Sequence, residues 1–208
     1  MKIHLNLAVE DELSEHVIRR LARDTDRPFQ IVSVYRKGGA GYLKQRLLAF
    51  NRACRITPYL ILTDLDRCVC APELIEDWFR CSMNKYPSKR HANLLFCIAE
   101  REVESWLLAD RDSCARFLGV AMDLIPSQPD QIADPKRELL QLAARSRYRQ
   151  VREEIAPRRS SILRTGPGYN ERLSFFVSKS WRPRVAAYYS PSLLRTFERL
   201  QKFCGPSH

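Results

Sequence analysis

Tyr59-Leu60-Ile61-Leu62-Thr63-Asp64-Leu65-Asp66 is an apolar run that ends in two carboxylates one residue apart. The run is short, bounded by Pro58 and followed by acids, which reads as a buried strand. Two more runs end in acid. Ile3 to Val9 delivers Glu10, and Leu94 to Ala99 delivers Glu100, Glu102 and Glu104. Phe29 to Tyr35, rich in β-branched residues, supplies another strand. Between these lie segments expected to be helical: 12–23, with Leu13, Val17, Ile18 and Leu21 at helical spacing; 42–54; and 72–84, with Pro72 at a helix-opening position. Strand and helix alternate along the first half, the order that builds a mainly parallel α/β sheet flanked by helices. In such sheets ligands bind at the carboxyl ends of the strands, so acids at three strand ends are expected to converge on one site. Crowded carboxylates repel unless a cation or a proton lies between them. A hard divalent ion, Mg²⁺ or Mn²⁺, is the natural occupant.

Beyond residue 120 strand signals thin out. Val103 to Leu118 reads as helix, ending near Gly119. Asp134-Pro135 reads as a cap and first turn opening a helix to about Ile155. Residues 157–170 are irregular, and 172–178 and 184–189 fit short helix or short strand. Ser190-Pro191 opens a last helix to about Phe203, with Leu193, Leu194, Phe197 and Leu200 on one face. The expected organisation is a metal-binding α/β domain over 1–110 and a mostly helical, basic extension over 111–208 packed on it.

The chain has 208 residues, 45% of them apolar and only 7 Gly, enough to bury a substantial core. Its net charge of +11 is unevenly spread. Residues 1–110 hold 17 Lys and Arg against 15 Asp and Glu, whereas 111–208 hold 18 against 9. Such asymmetry suggests a nucleic-acid partner; a merely soluble basic protein is the other reading. No apolar run approaches the roughly 18 residues of a membrane span, and the N-terminal apolar stretch is too short for a signal peptide. The seven Cys have no framework spacing, which suits reduced thiols in a cytosol, and Cys68-Val69-Cys70 lacks the spacing and the nearby His of a zinc site. His4, His16, His91 and His208 show no ligand spacing, and no G-x-x-x-x-G-K-[ST] occurs.

In an extended segment residues i and i+2 point the same way, so Asp64 and Asp66 would reach one metal while Leu65 enters the core. The bland alternative is a helix cap with a turn carboxylate. Asp11 and Glu12 are accounted for by a helix start; Glu10, where the strand leaves the sheet, is not, and Glu15 could face the site from the first helical turns. Glu100, Glu102 and Glu104 share a face if extended, Glu100 and Glu104 if helical. In the basic half, Arg145, Arg147, Arg149, Arg152, Arg158, Arg159 and Arg164 lie within twenty residues and suit phosphate recognition, or else form a solvated arginine-rich helix. Tyr169, in Gly166-Pro167-Gly168-Tyr169-Asn170, could stack on a base. Lys136 could neutralise transition-state charge, or be an exposed helix lysine.

Taken together, Glu10, the Gly38-Gly39-Ala40-Gly41 turn and the Asp64/Asp66 pair resemble, in order, the TOPRIM fold of primases, topoisomerases and overcoming-lysogenization-defect nucleases. The similarity covers about residues 1–110. The longer strings Val9–Glu15, Leu62–Asp66, Arg101–Asp110, Asp134-Pro135-Lys136 and Gly166–Asn170 are similar to a bacterial family of stand-alone TOPRIM-like proteins. The resemblance implies metal-dependent phosphodiester chemistry on DNA or RNA, in the bacterial cytosol and in phage defence. It implies Glu10, Asp64 and Asp66 as ligands of Mg²⁺, Glu104 as a second-metal ligand or general base, and Lys136 as a catalytic cation. Asp11 stands where the fold often has glycine, and no motif marks a tyrosine nucleophile. A non-catalytic nucleic-acid-binding subunit serving a partner ATPase, or a nucleotide phosphotransferase, are the alternative readings.

Overall fold

The apolar runs become strands in the computed structural model, which describes residues 2–83, 90–157 and 164–205. They are β1 (Ile3–Val9), β2 (Phe29–Tyr35), β3 (Tyr59–Asp64) and β4 (Leu94–Ala99). All pair in parallel, in the order β2-β1-β3-β4. The helices between them are α1 (Glu12–Asp24), α2 (Gly39–Ala53) and α3 (Ala71–Met83). The chain steps from β1 outward to β2, then crosses back past β1 to β3 and on to β4. Right-handed crossovers therefore put α1 on one face and α2 and α3 on the other. Leu43, Leu47 and Phe50 of α2 and Leu74 and Trp78 of α3 pack on Ala8, Ile61, Phe96 and Ile98 of the sheet. α1 buries Leu13, Val17, Ile18 and Leu21. With both faces covered, β3 and β4 are buried along their length, except that Asp64 at the end of β3 is half-buried.

The chain divides into two compact units, Met1–Glu100 with Arg195–His208, and Arg101–Leu194. The α/β architecture expected from the sequence is thus carried by the first unit. A boundary at 110 would assign to it a helix that belongs to the second. The described residues of the second unit contain no strand. Its helices are α4 (Glu104–Ala109), α5 (Arg111–Leu118), α6 (Pro135–Ala144), α7 (Arg149–Glu154), α8 (Tyr169–Lys179) and α9 (Pro183–Ala186). α10 (Pro191–Lys202) starts in the second unit and continues in the first. The ambiguous stretch 172–178 is helical, within α8, and the helix near 184–189 is the short α9.

Two expected long helices are broken, each by a polar side chain that bonds backbone. Val103 to Leu118 divides at Asp110, whose carboxylate caps α5 by accepting from the Ser113 amide at 3.3 Å. Asp110 is fully buried and also accepts from the Arg182 amide at 2.9 Å and its guanidinium Nε at 3.0 Å. The helix from Asp134 toward Ile155 divides at 145–148. There the Ser146 hydroxyl accepts from the Tyr148 amide at 2.9 Å, and the Arg147 amide donates to the Gly119 carbonyl at 3.0 Å. Among the described residues no helix is long and apolar enough to cross a membrane.

Candidate functional site

The strand order reverses between β1 and β3, the topological switch point at which parallel sheets open a crevice. Glu10 leaves β1 there and leans across onto β3. Its Oε1 accepts from the Thr63 hydroxyl at 2.5 Å and from the Asp64 amide at 2.9 Å. Burial pushes the Glu10 carboxyl above its usual range; the two hydrogen bonds pull it down, and the negative charges of Asp66 and then Asp11 push it up again. Oε2 faces the start of α2, where a Cβ built on Gly39 would lie 3.9 Å away. Gly38 and Gly39 both have positive φ, 79° and 65°, a backbone that L side chains rarely adopt, so this turn calls for glycine. It opens the 15-residue α2, whose first amides lack intrahelical partners.

The two aspartates do not lie on one extended segment. β3 ends at Asp64, and Leu65 is buried in the core with its amide bonded to the Ala99 carbonyl at 2.9 Å. Asp66 then turns into the left-handed region at φ 50°, exposed. Aspartate tolerates that region better than most residues, but the conformation still costs free energy and tends to mark functional turns. The acids after Glu10 have local work. Asp11 caps α1 by accepting from the Ser14 amide at 2.8 Å, and Glu15 pairs with Arg19 at 2.8 Å and Arg36 at 3.9 Å.

Hard carboxylate oxygens suit Mg²⁺, which is held through one or two carboxylates and completes its shell with water and substrate phosphate. Among the described residues no three His, Cys, Asp or Glu side chains form a group able to hold an ion unaided. Glu10 Oε2 and the nearby negative charge of Asp66 therefore fit a weakly held ion shared with a phosphate better than a closed protein cage. Cys54, Cys68, Cys70, Cys97, Cys114 and Cys204 are free thiols.

A second acidic cluster lies within 101–194. Arg101 has φ 60°, so the chain turns sharply after β4 before α4 begins at Glu104. Glu104 is 4% exposed. Its Oε1 accepts from the Tyr169 hydroxyl at 2.5 Å and stands 3.8 Å from Lys136 Nζ, and that ammonium sits 5.0 Å above the Tyr169 ring. Burial raises Glu104 to about 7, against the lowering effect of Lys136 and of the Tyr169 hydrogen bond and with a further upward push from Glu102. Glu102 meanwhile accepts from the Lys136 amide at 2.9 Å, in the first turn of α6, where the helix dipole favours an anion. A carboxyl poised near neutrality beside a lysine and a phenol can give or take a proton.

Tyr169 is buried, with its ring under Lys136, so it is not a platform for stacking a base; that expectation is corrected. The Gly166-Pro167-Gly168 turn serves to deliver it. A Cβ on Gly166 would meet the Glu154 carbonyl oxygen at 2.4 Å, so only glycine lets the loop lie against the end of α7. Lys136 faces Glu104 rather than solvent alone. Among the arginines, 145, 147, 149, 152 and 164 are exposed, while Arg158 and Arg159 lie outside the described residues. Arg149 pairs with Glu153 at 2.8 Å, and Arg147 lies 5.0 Å over the exposed Tyr148 ring. Sequence reasoning passed over Thr63 and the Tyr169–Glu104 bond, both contacts between residues more than fifty positions apart.

Comparison of the chain with family models, with curated proteins and with solved structures finds no match.

Proposed function

We propose that the protein is a Mg²⁺- or Mn²⁺-dependent phosphodiesterase of the TOPRIM type that cleaves DNA or RNA, with Glu10 and Asp66 as the metal-binding carboxylates and Asp64 positioning the turn between them. The observation that carries this reading is the meeting of Glu10 with the Asp64–Asp66 turn at the switch point of a parallel sheet, beside a glycine-opened helix start. The first amides of α2 suit a phosphate, and the carboxylates suit the cation that a phosphate brings with it. When bound, the ion would polarise the phosphodiester and lower the pKa of a water. Glu10, held through Oε1 by Thr63 and Asp64, keeps Oε2 for that ion. Glu104 near neutral pKa, with Lys136 beside it, serves as the proton-handling group of the second unit. Phage defence is the cellular setting that the TOPRIM resemblance suggests.

A binding subunit that serves an ATPase fits less well, because carboxylates at the strand ends would repel a polyanion unless a cation intervened. The test is incubation of purified protein with plasmid, linear DNA and RNA, with Mg²⁺, with Mn²⁺ and with chelator. Cleavage that needs the metal and is lost in Asp66→Asn is expected. A wild-type protein that cuts none of these, and is indistinguishable from Asp66→Asn in every assay, would overturn the reading.

A further inference from the structure

The first unit has a second charged feature, at the other end of the sheet from Glu10. A cavity of about 410 Å³ is lined by Leu95, near the start of β4, and by Arg195, Glu198, Arg199, Lys202 and Phe203 of α10 and its end. Leu95 lies four residues before Ala99, roughly 13 Å along the strand from the carboxyl end.

Arg195, Arg199 and Lys202 are spaced i, i+4 and i+7, so they project from one face of α10. Their commitments differ. Lys202 pairs with Glu198 at 2.8 Å, and Arg199 donates to the Phe96 carbonyl of β4, the edge strand. The Arg195 side chain has no hydrogen bond or ion pair among the described residues. Three cations with a single carboxylate line the cavity, a costly arrangement, since like charges at i, i+4 destabilise a helix. An anion seated among them would remove that cost. The two guanidinium forks match phosphate oxygens, and the ammonium adds a third donor group.

We infer that this cavity is an anion site for phosphate groups, separate from the carboxylate site at the opposite strand ends. The phosphates belong either to a nucleic-acid strand or to a free polyphosphate. Binding would be read on the full chain in EDTA, so that the strand-end carboxylates and any metal play no part. One arm titrates a fluorescent single-stranded oligonucleotide by anisotropy over a range of salt. The other follows the melting temperature with pyrophosphate. The variants are Arg195→Gln, which breaks no internal bond, and Arg195→Gln with Lys202→Ala.

In the oligonucleotide arm the double variant is expected to weaken binding about tenfold, with the slope of log affinity against log salt smaller by about 1.4 for two lost phosphate contacts. In the pyrophosphate arm the thermal shift of the wild type is expected to vanish. Dependence on Arg195 in the first arm identifies a strand, and dependence in the second alone identifies a free polyphosphate. Either supports the site. A folded Arg195→Gln variant that matches wild type in both arms overturns it.

Discussion

Glu10 in the first unit and Glu104 in the second are both carboxylates that burial pushes above the usual range, yet their neighbours differ in sign. Glu104 has Lys136 at 3.8 Å and a phenol at 2.5 Å. Glu10 has a hydroxyl, an amide and the negative charges of Asp66 and Asp11. Asp110 and Arg182 repeat the pattern of the second unit: burial pushes Asp110 up, but the bonds from Arg182 and Ser113 outweigh it, and the carboxyl sits below its ordinary value. The second unit thus neutralises its buried acids from within. The first leaves Glu10 to be neutralised by a proton or by a cation from outside. This is the physical ground for proposing a metal at one cluster and proton transfer at the other.

The largest effect that would break this contrast is on Glu10. Glu10→Gln is expected to lose at least about a hundredfold in metal-dependent cleavage, the scale seen when one charge-stabilising group is removed. Its stability should move the other way. The folded pKa of Glu10 is raised, so ionised Glu10 costs stability once the pH exceeds its unfolded value of about 4.5. In chelator at pH 7 the variant should therefore melt no lower than wild type, while near pH 4 the difference should fade. Adding Mg²⁺ should raise the melting temperature of the wild type only. If Mg²⁺ stabilises both proteins equally, Glu10 is not a ligand.

A smaller effect is expected at Lys136. Removing its charge in Lys136→Met takes away an influence that lowers the Glu104 pKa, so Glu104 should titrate above about 7. At pH 8 the buried carboxylate would stand without its cation. Breaking a fully buried pair costs about 3–5 kcal/mol; here the lysine is 38% exposed and 3.8 Å away, so about 1–2 kcal/mol is expected. At pH 5, with Glu104 protonated, the cost should largely disappear. Denaturant unfolding of both proteins at the two pH values checks this. An equal loss at both would make Lys136 a packing residue and remove the internal cation from the comparison.

How far the sequence foretold these sites follows from the range of the contacts. β1 to β4 were legible because apolar runs bounded by Pro, Gly or acid announce buried parallel strands within a window of a few residues. Glu10 stood out because a strand end in such a sheet has a known destination. The pairing of Asp64 with Asp66 misled in detail: the i, i+2 rule needs extended backbone, and the left-handed turn at Asp66 leaves no mark in composition. Tyr169 and Glu104 are 65 positions apart and Asp110 and Arg182 are 72 apart. No periodicity connects such pairs, so the bond from Arg182 that holds Asp110 at its helix break leaves no mark in the local sequence.

The finest distinction is expected at Tyr169. Its hydroxyl donates to Glu104 and, with Lys136, lowers the carboxyl from where burial alone would hold it. Tyr169→Phe keeps the ring under the Lys136 ammonium and removes only that donor. The contribution of Glu104 to wild-type stability should be highest below pH 4.5, fall as the pH rises toward the folded value of about 7, and level off above it, because the folded state holds a proton that the unfolded chain has released. In Tyr169→Phe the fall should continue to higher pH, with a loss of about 1–2 kcal/mol at pH 8 for a hydrogen bond to a charged group. Glu104→Gln should flatten the profile over the same window in either background. The readout is the melting temperature at half-unit pH steps, with Glu104→Gln and the double variant alongside. A Tyr169→Phe profile parallel to wild type at every pH would show that the phenol does not act on the charge of Glu104, and the second unit would then neutralise that carboxylate through Lys136 alone.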